Sequence, residues 1–154
     1  SQYEYASDLC SMQSHINDGL RALDTVLEQL KERKNTLLKQ PGQFPDEVME
    51  AIESHIQEIE GVQDILTKPE GIPFWSEGPR LVEWLGDLFQ AIDSVNKAPT
   101  RMQMEYFDGL QQEFEDGMGL INGYLGEKAR EINKIFSDNR VPSLLIPQVI
   151  KYQE

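Results

Sequence analysis

Two histidines are each followed by a carboxylate at a spacing that places both groups on one helix face. His15 pairs with Asp18 in "SHIND", and His55 pairs with Glu58 in "SHIQE". Side chains three positions apart on a helix are neighbours, and imidazole with carboxylate could bind a metal ion. The pairs cannot share an ion, because helices antiparallel about Gly42 would hold the histidines roughly 20 Å apart along their axes. We therefore expect no metal site and no cofactor.

Clusters of acidic side chains are the second candidate for chemistry, since paired carboxylates can hydrolyse glycosidic bonds. Glu113, Glu115 and Asp116 lie in "EFEDG", and Glu58 and Glu60 lie in "QEIEG". Such catalysis needs a cleft that raises the pKa of one acid, whereas a charge run usually marks the solvated face of a helix. We expect no catalytic residue. A metal- or carboxylate-dependent enzyme is the alternative, and it would require polar residues on the buried stripes.

The single cysteine, Cys10, limits the chemistry further. One cysteine cannot form an intramolecular disulfide or a thiolate metal site. A nucleophilic role would need a base and an orienting group nearby. We expect Cys10 to be a small, buried or half-buried side chain without a chemical role.

The segment "IPFWSEGP" is the strongest candidate for binding. Phe74 and Trp75 are adjacent there, among prolines and glycines that favour a loop. Large aromatic side chains on a loop are typical of a docking patch. The alternative is that they fold back and close one end of the helical bundle. We assign Phe74 and Trp75 as candidate protein-contact residues.

Length and charge bound the remaining possibilities. The chain has 154 residues, which predicts a single helical domain over 1–154. Its net charge of −13 argues against nucleic acid and anionic lipid as partners, because each would need a Lys/Arg face. No apolar run approaches the ~18 residues of a membrane span, so no membrane insertion is expected. The first residue is Ser1 rather than Met, which suggests a fragment of a longer chain.

Apolar residues recur every three or four positions along four stretches, as one buried face of a helix requires. The first stretch, about 7–39, carries Leu9, Met12, Ile16, Leu20, Leu23, Leu27, Leu30 and Leu37. The second carries Val48, Met49, Ile52, Ile56, Ile59, Val62 and Leu66. The third carries Leu81, Leu85, Leu88, Ile92 and Val95, widened by Trp84 and Phe89. The fourth, from 100 to about 137, carries Met104, Phe107, Leu110, Phe114, Ile121, Leu125, Ile132 and Ile135.

Turn and cap residues separate these stretches. Gly42 suits the left-handed conformation past a helix end, and Pro45 suits a first helical turn. Thr100 and Gln103 form a T-x-x-Q capping box after Pro99. Glycines in the fourth stretch indicate either close approach to a neighbouring helix or a kink near "EDGMG". We therefore predict an all-α protein, an up-and-down antiparallel four-helix bundle with an extended apolar C-terminal tail, "VPSLLIPQVIKYQE".

The block "EGPRLVEWLGDLFQAIDSVNKAPTRMQMEYFDGLQQEF", with residues on either side, carries a family resemblance. Its markers are Asp8, Leu9, Gln13, Pro79, Arg80, Leu81, Asp93, Ala98, Pro99, Thr100, Gln103, Ile132, Asn133, Val141, Pro142 and Leu144. Together they resemble the C-terminal helical domain of bacterial sortilin-like proteins, also described as Asp-box (BNR) repeat or glycosyl-hydrolase-like proteins. Arg140 stands where that pattern has a glycine.

The resemblance implies a helical bundle that follows a β-propeller in an exported, periplasmic or secreted protein. It transfers no catalytic residue, because any hydrolase chemistry would belong to the propeller. The function expected is a non-catalytic accessory or interaction module whose partners are other domains of its own parent chain. A self-associating bundle is a further alternative.

Overall fold

The computed structural model describes residues 2–67, 80–93 and 100–148, and all of the regular structure in these ranges is helical. The α-helices are α1 (Gln2–Leu38), α2 (Asp46–Leu66), α3 (Leu81–Asp93), α4 (Arg101–Gly123) and α5 (Ala129–Asp138). A π-helical turn, Tyr124–Lys128, joins α4 to α5. The helices pack as a bundle in which α1 contacts α2, α3 and α4. The predicted all-α class is confirmed.

The core is made largely of the apolar stripes that the sequence predicts, but Leu20, Met49, Ile56 and Ile135 of those stripes are only partly buried. Phe136 is fully buried and was not among the predicted positions. Its largest fully buried side chains are Leu9, Met12, Ile16, Leu23, Leu30, Ile52, Ile59, Leu85, Phe114, Ile121, Leu125 and Phe136. No polar or charged side chain is buried in the part of the chain that the structure describes. Met104 was predicted to lie on the buried stripe of the fourth stretch, but it is exposed, as is Trp84. Val95 lies outside the described residues.

Three helix ends follow from local sequence. Gly42 has φ +80° and lies between α1 and α2, as predicted. Pro45 is the N-cap of α2, one position earlier than a first-turn residue. The capping box is confirmed: the Thr100 hydroxyl accepts a hydrogen bond from the Gln103 backbone N–H at 3.1 Å, and the Gln103 side chain accepts one from the Thr100 N–H at 2.9 Å.

The helices α1 and α4 run in the same direction. Near their first turns, the rings of Tyr5 and Phe107 meet edge to face with centroids 4.8 Å apart. Further along both helices, a Cβ on Gly19 would lie 2.8 Å from the Ile121 side chain, so the absent side chain permits close approach. Contacts therefore advance together along the two helices, which are parallel.

The helix α2 runs opposite to α1. Lys34, near the end of α1, pairs with Glu53 at 3.7 Å. The last residue of α2, Leu66, lies at the level of Ile16, because methyl groups of both approach the Cβ position of Gly117, at 2.7 and 3.6 Å. Later residues of α2 thus meet earlier residues of α1, as the predicted antiparallel pairing requires.

The helix α3 also runs opposite to α1, and it extends the rod begun by α2. Leu81 at its start lies at the level of Ile16, and a Cβ on Gly86 would lie 3.2 Å from the Gln13 side chain. Later residues of α3 therefore meet earlier residues of α1. The predicted up-and-down alternation is wrong at this step, since α2 and α3 point the same way.

The lengths of the helices explain why α2 and α3 run in the same direction. The helix α1 has 37 residues, whereas α2 has 21 and α3 has 13. Each helical residue advances about 1.5 Å, so α2 and α3 placed end to end nearly match α1 in length. The bundle consists of three rods: α1, then α2 followed by α3, then α4 continued into α5.

The predicted fourth helix is interrupted, although not where a kink was expected. The segment "EDGMG" lies within continuous α-helix, and the irregular turn comes later, at Tyr124–Lys128. The alternative expectation, close approach to a neighbouring helix, holds at Gly117, where a Cβ would lie 2.7 Å from the Leu66 side chain. Gly109, Gly119 and Gly123 have no such neighbour within 4 Å among the described residues.

After α5 the chain reverses through a Schellman motif. The Val141 N–H donates to the Phe136 carbonyl at 2.9 Å, and the Arg140 N–H donates to the Ser137 carbonyl at 3.4 Å. Arg140 has φ 59°, the left-handed conformation that usually selects glycine. Residues 141–148, which have no regular secondary structure, then return along α1.

Amide side chains hold this returning segment to two helices. Gln29 of α1 accepts from the Leu145 N–H at 2.8 Å and donates to its carbonyl at 2.9 Å. Asn133 of α5 accepts from the Leu144 N–H at 2.6 Å and donates to its carbonyl at 3.1 Å. The Arg33 guanidinium donates to the carbonyls of Pro142 and Ser143, each at 2.8 Å. These bonds satisfy backbone groups that no secondary structure pairs.

Candidate functional site

An open cleft of about 410 Å³ lies where α2 ends, α3 begins and both pack on the middle of α4. We call it the junction cleft. Its lining residues are Ile65, Leu66, Arg80, Leu81, Trp84, Glu113, Asp116, Gly117 and Leu120. The cleft exists because the second rod is divided into two helices, so its position follows from the fold.

The floor of the cleft is buried and tightly packed. Leu66 and Leu81 are 2% and 4% exposed and both lie over Gly117. A side chain at 117 would collide with Leu66, so the glycine allows two helix ends to pack on α4 at one point. The floor is therefore closely packed, whereas apolar residues around it keep part of their surface in solvent.

Large apolar side chains surround the floor and remain in contact with solvent. Ile65 is 61% exposed, Leu120 is 45% exposed and Trp84 is 37% exposed. The Trp84 ring contacts the Tyr106 ring edge to face, with centroids 5.5 Å apart, which extends the apolar surface along α4. Grouped exposed apolar residues of this size are typical of contact surfaces.

Hydrogen bonds fix the two helix ends beside the cleft. The Arg80 guanidinium donates to the Thr67 carbonyl at 3.3 Å. The Glu83 carboxylate accepts from the Thr67 hydroxyl at 3.1 Å and from the Arg80 N–H at 3.3 Å. Arg80, the one cationic side chain among the described lining residues, is thus engaged with the end of α2.

The α4 side of the cleft is acidic. Neither Glu113 nor Asp116 forms an ion pair with a cation in the ranges that the structure describes, and Asp116 accepts a hydrogen bond from Gln112 at 3.0 Å. The pKa of Tyr106 is raised, first by burial and then by the nearby charges of Glu113 and Asp87. This surface therefore presents a negative potential next to exposed apolar groups.

In each histidine–carboxylate pair of the sequence, the histidine and the carboxylate contact different residues. His15 Nδ1 lies 2.7 Å from the Ser11 carbonyl, and Asp18 lies 3.8 Å from Arg21. Among residues 2–67, 80–93 and 100–148, no group of three or more His, Cys, Asp or Glu side chains is placed to hold a metal ion.

His55 belongs to the packing between α2 and the π-helical turn. Its Nδ1 lies 2.9 Å from the hydroxyl of Tyr124, and the Glu58 carboxylate pairs with Lys128. Burial lowers the pKa of His55 below 6.5, an effect opposed by Glu131 and reinforced by Lys128. Burial also raises the pKa of Tyr124.

The remaining sequence predictions concern Cys10, the acids of "EFEDG", and the pair Phe74 and Trp75. Cys10 is exposed, so the expectation of a buried or half-buried thiol is wrong. Two acids of "EFEDG", Glu113 and Asp116, line the junction cleft. Phe74 and Trp75 lie outside the described residues. They belong to the sequence between Leu66 and Arg80, both of which line the cleft.

Sequence reasoning missed two exposed apolar residues of the cleft. Ile65 and Leu120 lie beside the predicted buried positions Leu66 and Ile121, and neither was assigned a role. The sequence feature that could have indicated them is a large aliphatic residue next to a buried stripe. This feature is weak, because single apolar residues are common on protein surfaces.

No family model, curated protein or solved structure matches the chain. None of the helices in the described ranges is both long and apolar enough to span a membrane.

Proposed function

We propose that this chain is a non-catalytic helical interaction module whose junction cleft receives an apolar segment of a protein partner. The observation that carries the proposal is the combination of a packed floor with uncovered apolar walls. Ile65, Trp84 and Leu120 keep much of their surface in solvent around one concavity. Burying such surface contributes about 25 cal/mol per Å², and partner binding would supply that burial.

The composition of the core supports a structural rather than a catalytic interior. Its buried side chains are aliphatic or aromatic in the described ranges. An acid–base or metal-dependent enzyme inside the bundle would need polar groups facing inward. Metal analysis of the purified protein tests this alternative, because a stoichiometric transition metal that survives dialysis would overturn the proposal.

Further expectations from the sequence extend this proposal. Phe74 and Trp75 would add to the contact surface, since the chain that carries them begins and ends beside the cleft. The partners would be other domains of a longer exported parent, on the resemblance to sortilin-like proteins. Residues 141–148 would form an apolar cover, with Val141 and Leu144 buried and Leu145 exposed, and the rest of the predicted tail lies outside the described residues.

A neutral solvatochromic dye, Nile red, tests whether the cleft accepts an apolar ligand. We expect the folded protein to enhance its fluorescence, and Leu120→Gln to abolish most of that gain. Leu145→Gln is the matched control, because Leu145 is also exposed, at 79%, but lies in residues 141–148 and does not line the cleft. Equal dye binding by both variants, or none by the parent protein, would remove the junction cleft from the proposal.

A further inference from the structure

We infer that the partner of the junction cleft is a basic amphipathic helix, with lysine or arginine beside a stripe of large apolar residues. This inference rests on the proposed function and identifies the class of segment that the cleft would bind. It follows from the arrangement of α4, from the charge around the cleft, and from the backbone requirements of an incoming peptide.

The exposed edge of α4 has the spacing of a helix-packing surface. Tyr106, Glu113 and Leu120 are separated by seven residues each, which places them on nearly the same face of α4. At about 1.5 Å per residue this row extends about 21 Å, the length of roughly four helical turns. Trp84 of α3 stands beside it, in ring contact with Tyr106. A helix could lie along this row, as amphipathic helices do in grooves.

The charges of this edge select a cationic partner. Glu113 lies between the two apolar positions, and Asp116 and Asp87 add further negative charge nearby. The cationic group of the lining, Arg80, already donates to the Thr67 carbonyl. The whole chain has a net charge of −13, which would also attract a basic segment over longer distances.

Backbone chemistry favours a helix over an extended peptide. An extended segment needs partners for its N–H and C=O groups, as Leu144 and Leu145 receive from Asn133 and Gln29. Among the residues that the structure describes, the lining of the junction cleft contains no asparagine or glutamine. A helix satisfies its own backbone and presents only side chains, so it matches a cleft that offers apolar contact and carboxylates.

Calorimetric titration with designed peptides tests the inference on the full chain. The probe is a peptide of about 18 residues with leucine on one helix face and lysine elsewhere. We expect saturable one-to-one binding. A peptide with the same leucines but glutamate in place of lysine should not bind, and neither should a peptide of the same composition with dispersed leucines.

Variants of the protein separate the cleft from general attraction to an acidic surface. Leu120→Gln and Glu113→Gln should each weaken binding at least about fivefold, because each removes a contact that the row offers to the bound helix. Leu145→Gln and Glu50→Gln are the matched controls and should bind as the parent protein does, since both residues are exposed and neither lines the cleft.

The outcomes are distinguishable. Equal binding by all variants, or no binding of the leucine–lysine peptide while Nile red still enters the cleft, would overturn the basic-helix partner and leave the proposed function standing. Failure of both probes would remove both proposals. A light-scattering mass of two chains that Leu120→Gln reduces to one would identify a second copy as the occupant, and would also overturn the inference.

Discussion

Leu66, the last residue of α2, and Leu81, the first residue of α3, meet over Gly117, where a Cβ would lie 2.7 Å and 3.5 Å from their respective Cδ2 atoms. Two helices that are separate in sequence thus act as one rod against α4. The same contact closes the floor of the junction cleft. The division of this rod into α2 and α3 therefore accounts both for the departure from up-and-down alternation and for the candidate site.

Replacement of this glycine should destabilise the protein. Gly117→Ala gains up to about 1 kcal/mol in helix propensity, but it forces a methyl group into packed side chains at a cost of about 1–3 kcal/mol. We expect a net loss on the order of 1 kcal/mol in urea unfolding. Gly109→Ala, with no neighbour within 4 Å, should instead stabilise the protein. Stabilisation by both substitutions would contradict the close packing at the junction.

Arg140 should be replaceable by glycine with a gain in stability. Its φ of 59° costs a side-chain-bearing residue about 1 kcal/mol, and glycine avoids that cost. Thermal unfolding of Arg140→Gly should therefore show a higher Tm than that of the parent protein. Arg140→Ala keeps the Cβ and is the control, so an equal rise in both variants would show that removal of the charge, and not of the strain, is responsible.

The amide of Asn133 should hold residues 141–148 in place. Asn133→Asp preserves the shape of the side chain but replaces the donor to the Leu144 carbonyl with a second acceptor. The amides of Leu144 and Leu145 should then exchange hydrogen faster, and a protease should cleave the segment sooner. Asn35→Asp, a change of the same type at an exposed position on α1, is the control. Unchanged exchange in Asn133→Asp would show that the two bonds do not secure the segment.

The stability of the protein should contain a pH-dependent contribution from His55. Burial lowers its pKa in the folded state below 6.5, so the unfolded chain binds the proton more readily. Stability from this group is present above pH 6.5 and is lost as the pH falls through the folded-state pKa. His55→Gln should reduce the fall in unfolding free energy between about pH 7.5 and pH 5.5.

Tyr124→Phe separates burial from hydrogen bonding at this site. It removes the hydroxyl that lies 2.9 Å from His55 Nδ1 but leaves the ring in place. Because burial is the largest cause of the pKa shift, this variant should keep most of the pH dependence. Identical pH profiles for the parent protein and His55→Gln would mean that the histidine does not contribute.

Local features of this fold were predictable from sequence because they depend on neighbouring residues. The three-four spacing of the stripes located the helices, and the Thr100–Gln103 capping box and Gly42 located two boundaries. The π-helical turn was not predictable, since Ile121 and Ile132 lie on opposite sides of it and both remain buried. The period of the stripe therefore continues through the turn.

The direction of α3 depends on packing that no local pattern contains. A short connection would force α3 to reverse against α2, but the chain between Leu66 and Leu81 is long enough to permit either direction. Helix length was the feature of the sequence that could have indicated this direction. Neither α2 nor α3 alone is as long as α1, but placed end to end they nearly match it. The cleft could not be predicted from the stripes, since it arises at the point where those two helices meet.

Acrylamide quenching of Trp84 tests most directly whether the junction cleft is open in the free protein. Trp75→Phe leaves Trp84 as the only tryptophan. We expect the fluorescence of Trp84 to be readily quenched in the folded state and to become protected when the leucine–lysine peptide is added. A blue-shifted emission that resists acrylamide without any peptide would show that the cleft is already filled, and would contradict its role as an interface.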